Sequence, residues 1–340
     1  MRRIALLAAC LVVLAPASGQ AAKPKQSRSW AQAEIKLVVG RGMMAPSVAA
    51  FRPDAPLTQA ALSELIAQLT DSEPQAVSAP TARVTMAQLD AQLVRAVGLG
   101  DEAASFHQSA AAAGTRPPTR FGTEVVARLI GLRKNHPAGQ DDLERLPSDV
   151  ATRAEAAYSA AQILRLSNWE LHAVEDAAGV FALPELTAWQ RKILTTAFGL
   201  IGYPYVWGGE SESRLSPFGP QPAGGFDCSG FAWRVYKLQK YPGAGRLADT
   251  LRGRTAAAMA GEVGPARRIR RARIAPADLL FFANGGPQAK PAAVDHMGIY
   301  IGNGWLVHSS RYGVALAPLE HWYDERLAWG RRPLLEAGLG

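Results

Sequence analysis

The sequence predicts an α+β chain, with a mostly α-helical repeat region followed by a domain of one or two helices and an antiparallel sheet. Three observations carry this. Between residues 30 and 166 apolar residues recur at helical spacing in an alanine-rich background broken by Pro, Gly and Asp. From Glu185 to Ile201 one amphipathic helical pattern returns. Beyond residue 275, short apolar runs bounded by glycine and proline take over, which is the pattern of strands. At 340 residues, 48% hydrophobic and 19% charged, the chain is long enough to bury a sizeable core and too apolar to be disordered. A formal charge of +8 favours anionic partners: nucleic acid, anionic lipid or acidic wall polymer.

In chain order, Arg2 and Arg3 precede an apolar run, Ile4 to Leu14, and then Pro16 and Ala17-Ser18-Gly19. This layout predicts a secretory signal peptide over residues 1–20, too short to span a bilayer. Leu7-Ala8-Ala9-Cys10 resembles a lipoprotein box, but too few apolar residues precede Cys10, so simple export ranks first. No later segment has the length of a membrane helix. Removal of the signal takes Cys10 with it and leaves Cys228 as the only thiol. That excludes an intramolecular disulfide and a multi-thiolate zinc site, and leaves an apolar filler or a reactive nucleophile.

After a polar link, three pieces of the region 30–166 look alike: TQAALSELIAQL from Thr58, TMAQLDAQLVRA from Thr85 and TRAEAAYSAAQI from Thr152. Each threonine is placed to cap a helix. These pieces resemble S-layer homology repeats, best at Thr152-Arg153-Ala154-Glu155, which matches that family's signature; the other two copies read TQAA and TMAQ. The resemblance implies docking on anionic cell-wall polysaccharide; the alternative is a plain helical bundle. Residues 167–184 read as a connector with some helix. Gly202 ends the next helix, and strands are expected at Leu279–Phe282, Met297–Ile301, Trp305–His308, Val314–Leu316 and near Leu327–Trp329.

Cys228 lies in FDCSGFAWRVY, where Phe231, Val235 and Leu238 fall at helical spacing. The helix therefore starts near the thiol, with Asp227 a candidate cap. Its dipole would favour the thiolate, and its free N–H groups can receive an oxyanion. A thiol nucleophile needs a base. His296 opens one predicted strand, His308 closes the next, and Gly302-Asn303-Gly304 between them suits a tight hairpin that sets the two side by side. One imidazole would take the thiol proton while the other orients it. A two-histidine metal site is the competing reading, and no nearby carboxylate has a clear ligand spacing.

The region from about residue 185 onward resembles the NlpC-type cell-wall cysteine peptidases, a papain-like α+β group. The matching pieces occur in order: YPYVWGG at Tyr203–Gly209, FDCSGFAWRVY, TAAAMA at Thr255–Ala260, APADLLFF at Ala275–Phe282, DHMGIYIGNG at Asp295–Gly304 and HSS at His308–Ser310. The resemblance implies a papain-like domain over 185–340, with helices packed on an antiparallel sheet. It implies Cys228 as nucleophile, His296 as base and later acid, and His308 as the orienting residue. Tyr205 would contact substrate, and Asp227 and Ser229 would help bind a substrate amine. Trp207, Gly208 and Gly209 are expected to be structural, a buried ring and a tight turn.

Two departures stand out. ESESRLSPFGPQPAGG separates Gly209 from Phe226 and is expected to form a loop or flap over one side of the cleft; ARRIRRAR at Ala266–Arg273 is expected to be a solvated basic edge, with contact to anionic wall polymer as the alternative. The expected function is an exported, wall-associated endopeptidase that cuts peptidoglycan stem peptides at γ-D-glutamyl–diamino acid bonds, with no metal or organic cofactor. Nucleic acid is not expected as a partner. The repeats would tether the enzyme to anionic wall polysaccharide. An amidase or acyltransferase on the same fold, and a non-catalytic wall-binding protein, remain the alternatives.

Overall fold

A computed structural model describes residues 29–340; the expected signal segment lies outside the described residues. The helical region contains α1 (Gln32–Gly40), α2 (Gln59–Thr70), α3 (Met86–Ala96), α4 (Gly100–Ala112), α5 (Phe121–Leu129) and α6 (Arg153–Ile163). The three repeat threonines are N-caps. Thr58, Thr85 and Thr152 accept from the backbone N–H of Ala61, Gln88 and Glu155, and Gln88 closes a capping box on Thr85.

The residues just before these caps bond to one another in a closed ring. Leu57 N–H donates to Ala151 O (2.8 Å), Ala151 N–H to Val84 O (2.8 Å) and Val84 N–H to Leu57 O (3.0 Å). A second ring runs from Gln59 to Ala82, Met86 to Asp149 and Arg153 to Ala55. Leu57, Val84 and Ala151 are fully buried at its centre. The copies thus pack with approximate threefold symmetry, which is how three short helix-turn units bury their apolar faces on one another. The uneven spacing of the copies has a simple cause: α4, α5 and the segment 133–144 are inserted between the second and third.

The connector holds α7 (Asn168–Val180), capped by Ser167 and Glu170, and leads to α8 (Ala188–Gly199), capped by Thr187. Arginines at and within α5 hold the end of α8. Arg120 donates to Gly199 O (2.6 Å), and Arg128, paired with Glu124, donates to Gly202 O (2.6 Å). Cations at a helix C-terminus satisfy its free carbonyls and face the negative end of its dipole. Gly202 has φ +101°, and a Cβ there would lie 2.7 Å from the Glu124 carboxyl group.

Next come four two-residue strands, β1 (Glu210–Ser211), β2 (Leu215–Ser216), β3 (Gly219–Pro220) and β4 (Gly225–Phe226). Helices α9 (Cys228–Trp233), α10 (Leu247–Thr250) and α11 (Ala256–Gly261) follow. The main sheet is built from β5 (Leu279–Ala283), β6 (Val294–Gly302), β7 (Trp305–Ser310), β8 (Gly313–Pro318) and, after α12 (His321–Arg326), β9 (Leu327–Arg331); α13 (Pro333–Glu336) ends the chain. Its order is β8-β7-β6-β5-β9, and every pairing is antiparallel. All five expected strands are present, each a residue or more longer than its apolar run. Residues alternate across the sheet. Leu279, Phe281 and Ala283 face the main core, while Leu280 and Phe282 join a smaller cluster on the far side with Leu306 and Leu327. The main core is continuous from Ala31 in the helical region to Leu334, so the helices and the α+β part share one interior. The architecture is therefore the expected one, a helical region followed by helices on an antiparallel sheet.

Candidate active site

The thiol sits where a strand turns into a helix. β4 ends at Phe226, Asp227 caps α9, and Cys228 is its first residue. Asp227 Oδ1 accepts from Gly230 N–H (2.5 Å) and from Ser229 Oγ (2.9 Å). Glycine is required at position 230, because a Cβ there would lie 1.9 Å from Gly209 O. Arg254 closes this knot from behind. It pairs with Asp227 (3.0 Å) and Glu210 (2.9 Å) and donates to Ser229 Oγ (2.8 Å). Asp227 and Ser229 are thus engaged with Arg254 and do not line the cleft that Cys228 opens into.

The histidines come from the sheet. Asn303 and Gly304 both have positive φ, +48° and +78°, as a type I′ hairpin turn demands. With Ile299 paired to Val307, His308 stands opposite Gly298 and diagonal to His296 on the same face. A Cβ at 298 would lie 3.1 Å from His308 Cβ, so the glycine leaves His308 its room. His296 Nε2 lies 2.9 Å from His308 Nδ1. Ser309 Oγ donates to Phe226 O (2.6 Å), tying the histidine strand to the turn that carries the thiol.

Cys228, His296, Tyr205 and Tyr323 line one cleft of about 1220 Å³. Trp207 and Trp322 stand at its rim, 79% and 47% exposed. The expectation of a buried ring at 207 is corrected. The preceding turn holds Val206 in the core and throws the next side chain outward.

The expected flap is corrected too. Residues 210–225 form two short antiparallel ladders, β1 with β4 and β2 with β3, that lean on α9: Glu212 pairs with Arg234 (2.6 Å), and Phe218 packs on Trp233. None of them lines the cleft. One wall is supplied instead by Asn135, Ala138, Gly139 and Asp141 from the helical region. Asn135 clamps Tyr205 through both backbone groups, donating to its carbonyl (3.2 Å) and accepting from its N–H (3.3 Å). Its own N–H donates to Arg311 O (2.9 Å). The segment is held from below by buried charges. His136 lies between Glu144 (3.3 Å) and Glu155 (3.1 Å), and Arg133 between Asp90 and Glu155, both at 3.6 Å. Glu155 of the repeat signature therefore faces inward, and Arg153 donates to the carbonyls of Phe51 (2.8 Å) and Met44 (2.5 Å). The stretch 266–273 is the expected basic edge. Ile269 bridges to Gly330 beside β9, Arg268 stacks on Trp329, and Arg271 pairs with Asp324.

Burial sets the protonation of the thiol and imidazoles. It pushes the Cys228 thiol up to about 12, helped by Asp227, against the backbone N–H groups of Met297, Ser229 and Cys228, which favour the thiolate. The expected net gain from the helix end is thus outweighed. Burial also lowers His296 to about 4, and lowers His308 well below the usual imidazole range with help from His296. At neutral pH the site holds a thiol and two neutral imidazoles. His136 goes the other way. Burial would lower it, but its bonds to Glu144 and Glu155 raise it to about 9.

Tyr323, Arg254 and Asn135 were not singled out from the sequence. Each works through a fold contact, and its local string (HWYDER, RGRT, RKNHP) carries no periodic or motif signal.

Comparison with known proteins matches residues 202–332 to the NlpC/P60 family. The chain is 33% identical over 134 residues to "Probable peptidoglycan endopeptidase LytE" of Bacillus subtilis, covering 39% of this chain and 30% of that protein. It is 32% identical over 143 residues to the "Gamma-D-glutamyl-L-lysine dipeptidyl-peptidase" of the same organism, covering 41% and 40%. With "Murein DD-endopeptidase MepH" of Escherichia coli it shares 33% over 137 residues, covering 40% and 42%. The chain spans less than half the length of these curated relatives. Among solved structures, an NlpC/P60 family protein from Bacillus cereus is similar at 26% identity and a TM-score of 0.33, covering 45% of this chain and 42% of that one.

Proposed function

From the premise that residues 202–332 are an NlpC/P60 domain, we propose that the protein is a cysteine peptidase of peptidoglycan, with Cys228 as nucleophile, His296 as base and His308 as its orienting partner. The observation that carries this is the common cleft of Cys228 and His296, with His308 bonded to the far side of the His296 ring.

The mechanism is acyl transfer to sulfur. Because the resting thiol is neutral, proton removal accompanies attack. His296 Nδ1 takes the S–H proton as sulfur bonds to the amide carbonyl carbon. Backbone N–H groups at the start of α9 face the developing oxyanion. The tetrahedral species collapses, the C–N bond breaks, and the imidazolium of His296 gives its proton to the leaving amine. A water then attacks the thioester while His296 takes one of its protons. The C–S bond breaks, the proton returns to sulfur and the acid product leaves. Tyr205 and the exposed rings of Trp207 and Trp322 are the proposed substrate contacts. Asp227 and Ser229 serve chiefly to hold the turn against Arg254.

The proposed bond is the one between γ-D-glutamate and the diamino acid of the stem peptide, supported by the name of one relative. Action outside the cell, after export directed by residues 1–20, is part of the same proposal. So is contact between the helical region and anionic wall polymer, supported by the likeness of its three threonine-capped copies to S-layer homology repeats and not by charge, since residues 30–166 hold 13 Lys and Arg against 14 Asp and Glu. Since Arg153 and Glu155 are engaged internally, other basic side chains would make that contact. The test is digestion of purified muropeptides by the full chain and by Cys228→Ala, read by mass spectrometry, with new γ-glutamyl-terminated fragments expected from the wild type alone.

A further inference from the structure

Tyr323 reaches the histidine pair from its far side. Its hydroxyl lies 3.1 Å from His308 Nε2, while His308 Nδ1 lies 2.9 Å from His296 Nε2. Three rings thus form one hydrogen-bonded chain, with His308 2% exposed in the middle. Such a chain has two proton arrangements. In the first, His296 Nε2–H donates to His308 Nδ1, His308 Nε2–H donates to the tyrosine oxygen, and His296 Nδ1 keeps a lone pair. In the second, the tyrosine O–H donates to His308 Nε2, His308 Nδ1–H donates to His296 Nε2, and the one proton of neutral His296 sits on Nδ1. Only the first leaves a base facing away from His308. It is also the only one that survives when His296 becomes an imidazolium, because that ion must donate from Nε2.

Resting on the assignment of His296 as base, we propose that Tyr323 is a positioning residue: its oxygen accepts from His308 Nε2–H and holds the pair in the arrangement that frees His296 Nδ1. The tyrosine is fixed for this task. α12 begins at His321 with φ +45° and is tied at its other end by the Arg326–Asp295 ion pair (2.6 Å), next to His296. The Tyr323 ring packs edge-on against Phe282, with centroids 5.5 Å apart, so Tyr323→Phe keeps the packing and removes only the oxygen. The charged and titratable groups around the chain are Asp295 and Arg326 at His296, and Arg311 and Tyr312 at Tyr323.

The experiment labels histidine with 15N in the full-length protein and reads the tautomers by 15N–1H correlation at pH 7. The wild type is expected to show His308 protonated at Nε2 alone, and Tyr323→Phe a mixture of tautomers. In muropeptide digestion the variant is expected to lose roughly tenfold in kcat, with KM within about twofold and a melting temperature lowered by only a few degrees, as the loss of one buried hydrogen bond requires. A wild-type His308 protonated at Nδ1 overturns the proposal, and needs no variant to fold. So does a Tyr323→Phe protein with unchanged tautomer, whether kcat holds or falls only in step with stability. If the wild type cuts no muropeptide, the peptidase assignment fails, and the tautomer spectra still decide the role of Tyr323.

Discussion

Cys228 rests as a thiol, and that has a kinetic signature. With its pKa raised to about 12 by burial, alkylation by iodoacetamide at pH 7 should be at least about tenfold slower than for free cysteine, and should climb with pH beyond 9. Fast, pH-independent labelling at pH 6–7 would mean a preformed thiolate–imidazolium pair. His136 and His296 bend stability in opposite directions. His136, raised to about 9, gives stability that is complete below its unfolded pKa of 6.5 and is lost as pH rises toward 9. His296, lowered to about 4, resists protonation in the folded state, so stability falls as pH drops from 6.5 toward 4. The melting temperature should therefore peak near pH 6.5, and His136→Gln should flatten the alkaline limb while lowering the peak. Thermal scans from pH 4 to 9 check this. At this scale the sequence was most legible where chemistry is rare: one thiol among the described residues, and two histidines flanking an Asn-Gly turn. Tyr323 and Asn135 were not legible, because a tyrosine behind a histidine or an amide on a distant backbone leaves no mark in its own segment.

At the scale of elements, caps and turns carried the most information. Thr58, Thr85, Thr152 and Thr187 each cap the helix that follows, because a side-chain oxygen there satisfies an N–H that the helix cannot. Thr85→Ala should cost about 1 kcal/mol of stability by denaturant titration and leave kcat unchanged, since Thr85 is not among the residues that line the cleft. A loss of activity without loss of stability would put α3 in the working site. The segment 210–225 misled for a physical reason. Its Ser, Pro and Gly content marks a turn-rich path, but composition does not say which neighbour the path leans on; Glu212 pairs with Arg234, the C-cap of α9, and Glu210 with Arg254, which also holds the N-cap Asp227. The threefold ring at Leu57, Val84 and Ala151 was legible only as three similar strings, since closure depends on backbone bonds between copies.

At the scale of the molecule, the helical region is part of the site. It supplies a wall of the cleft, clamps Tyr205 and shares a continuous core with the α+β part. Calorimetry of residues 29–340 should accordingly show one cooperative transition; two separated transitions would mean that the repeats and the catalytic part are independent bodies. The central claim is that Cys228, which shares its cleft with His296, cuts stem peptides. The most direct test is mass spectrometry of purified muropeptides after incubation with the full chain or with Cys228→Ala. Cleavage at the γ-D-glutamyl–diamino acid bond by the wild type, reduced by at least about 10³-fold in the variant, is the predicted result. No stem-peptide fragment from any muropeptide, or equal cleavage by the alanine variant, would contradict it.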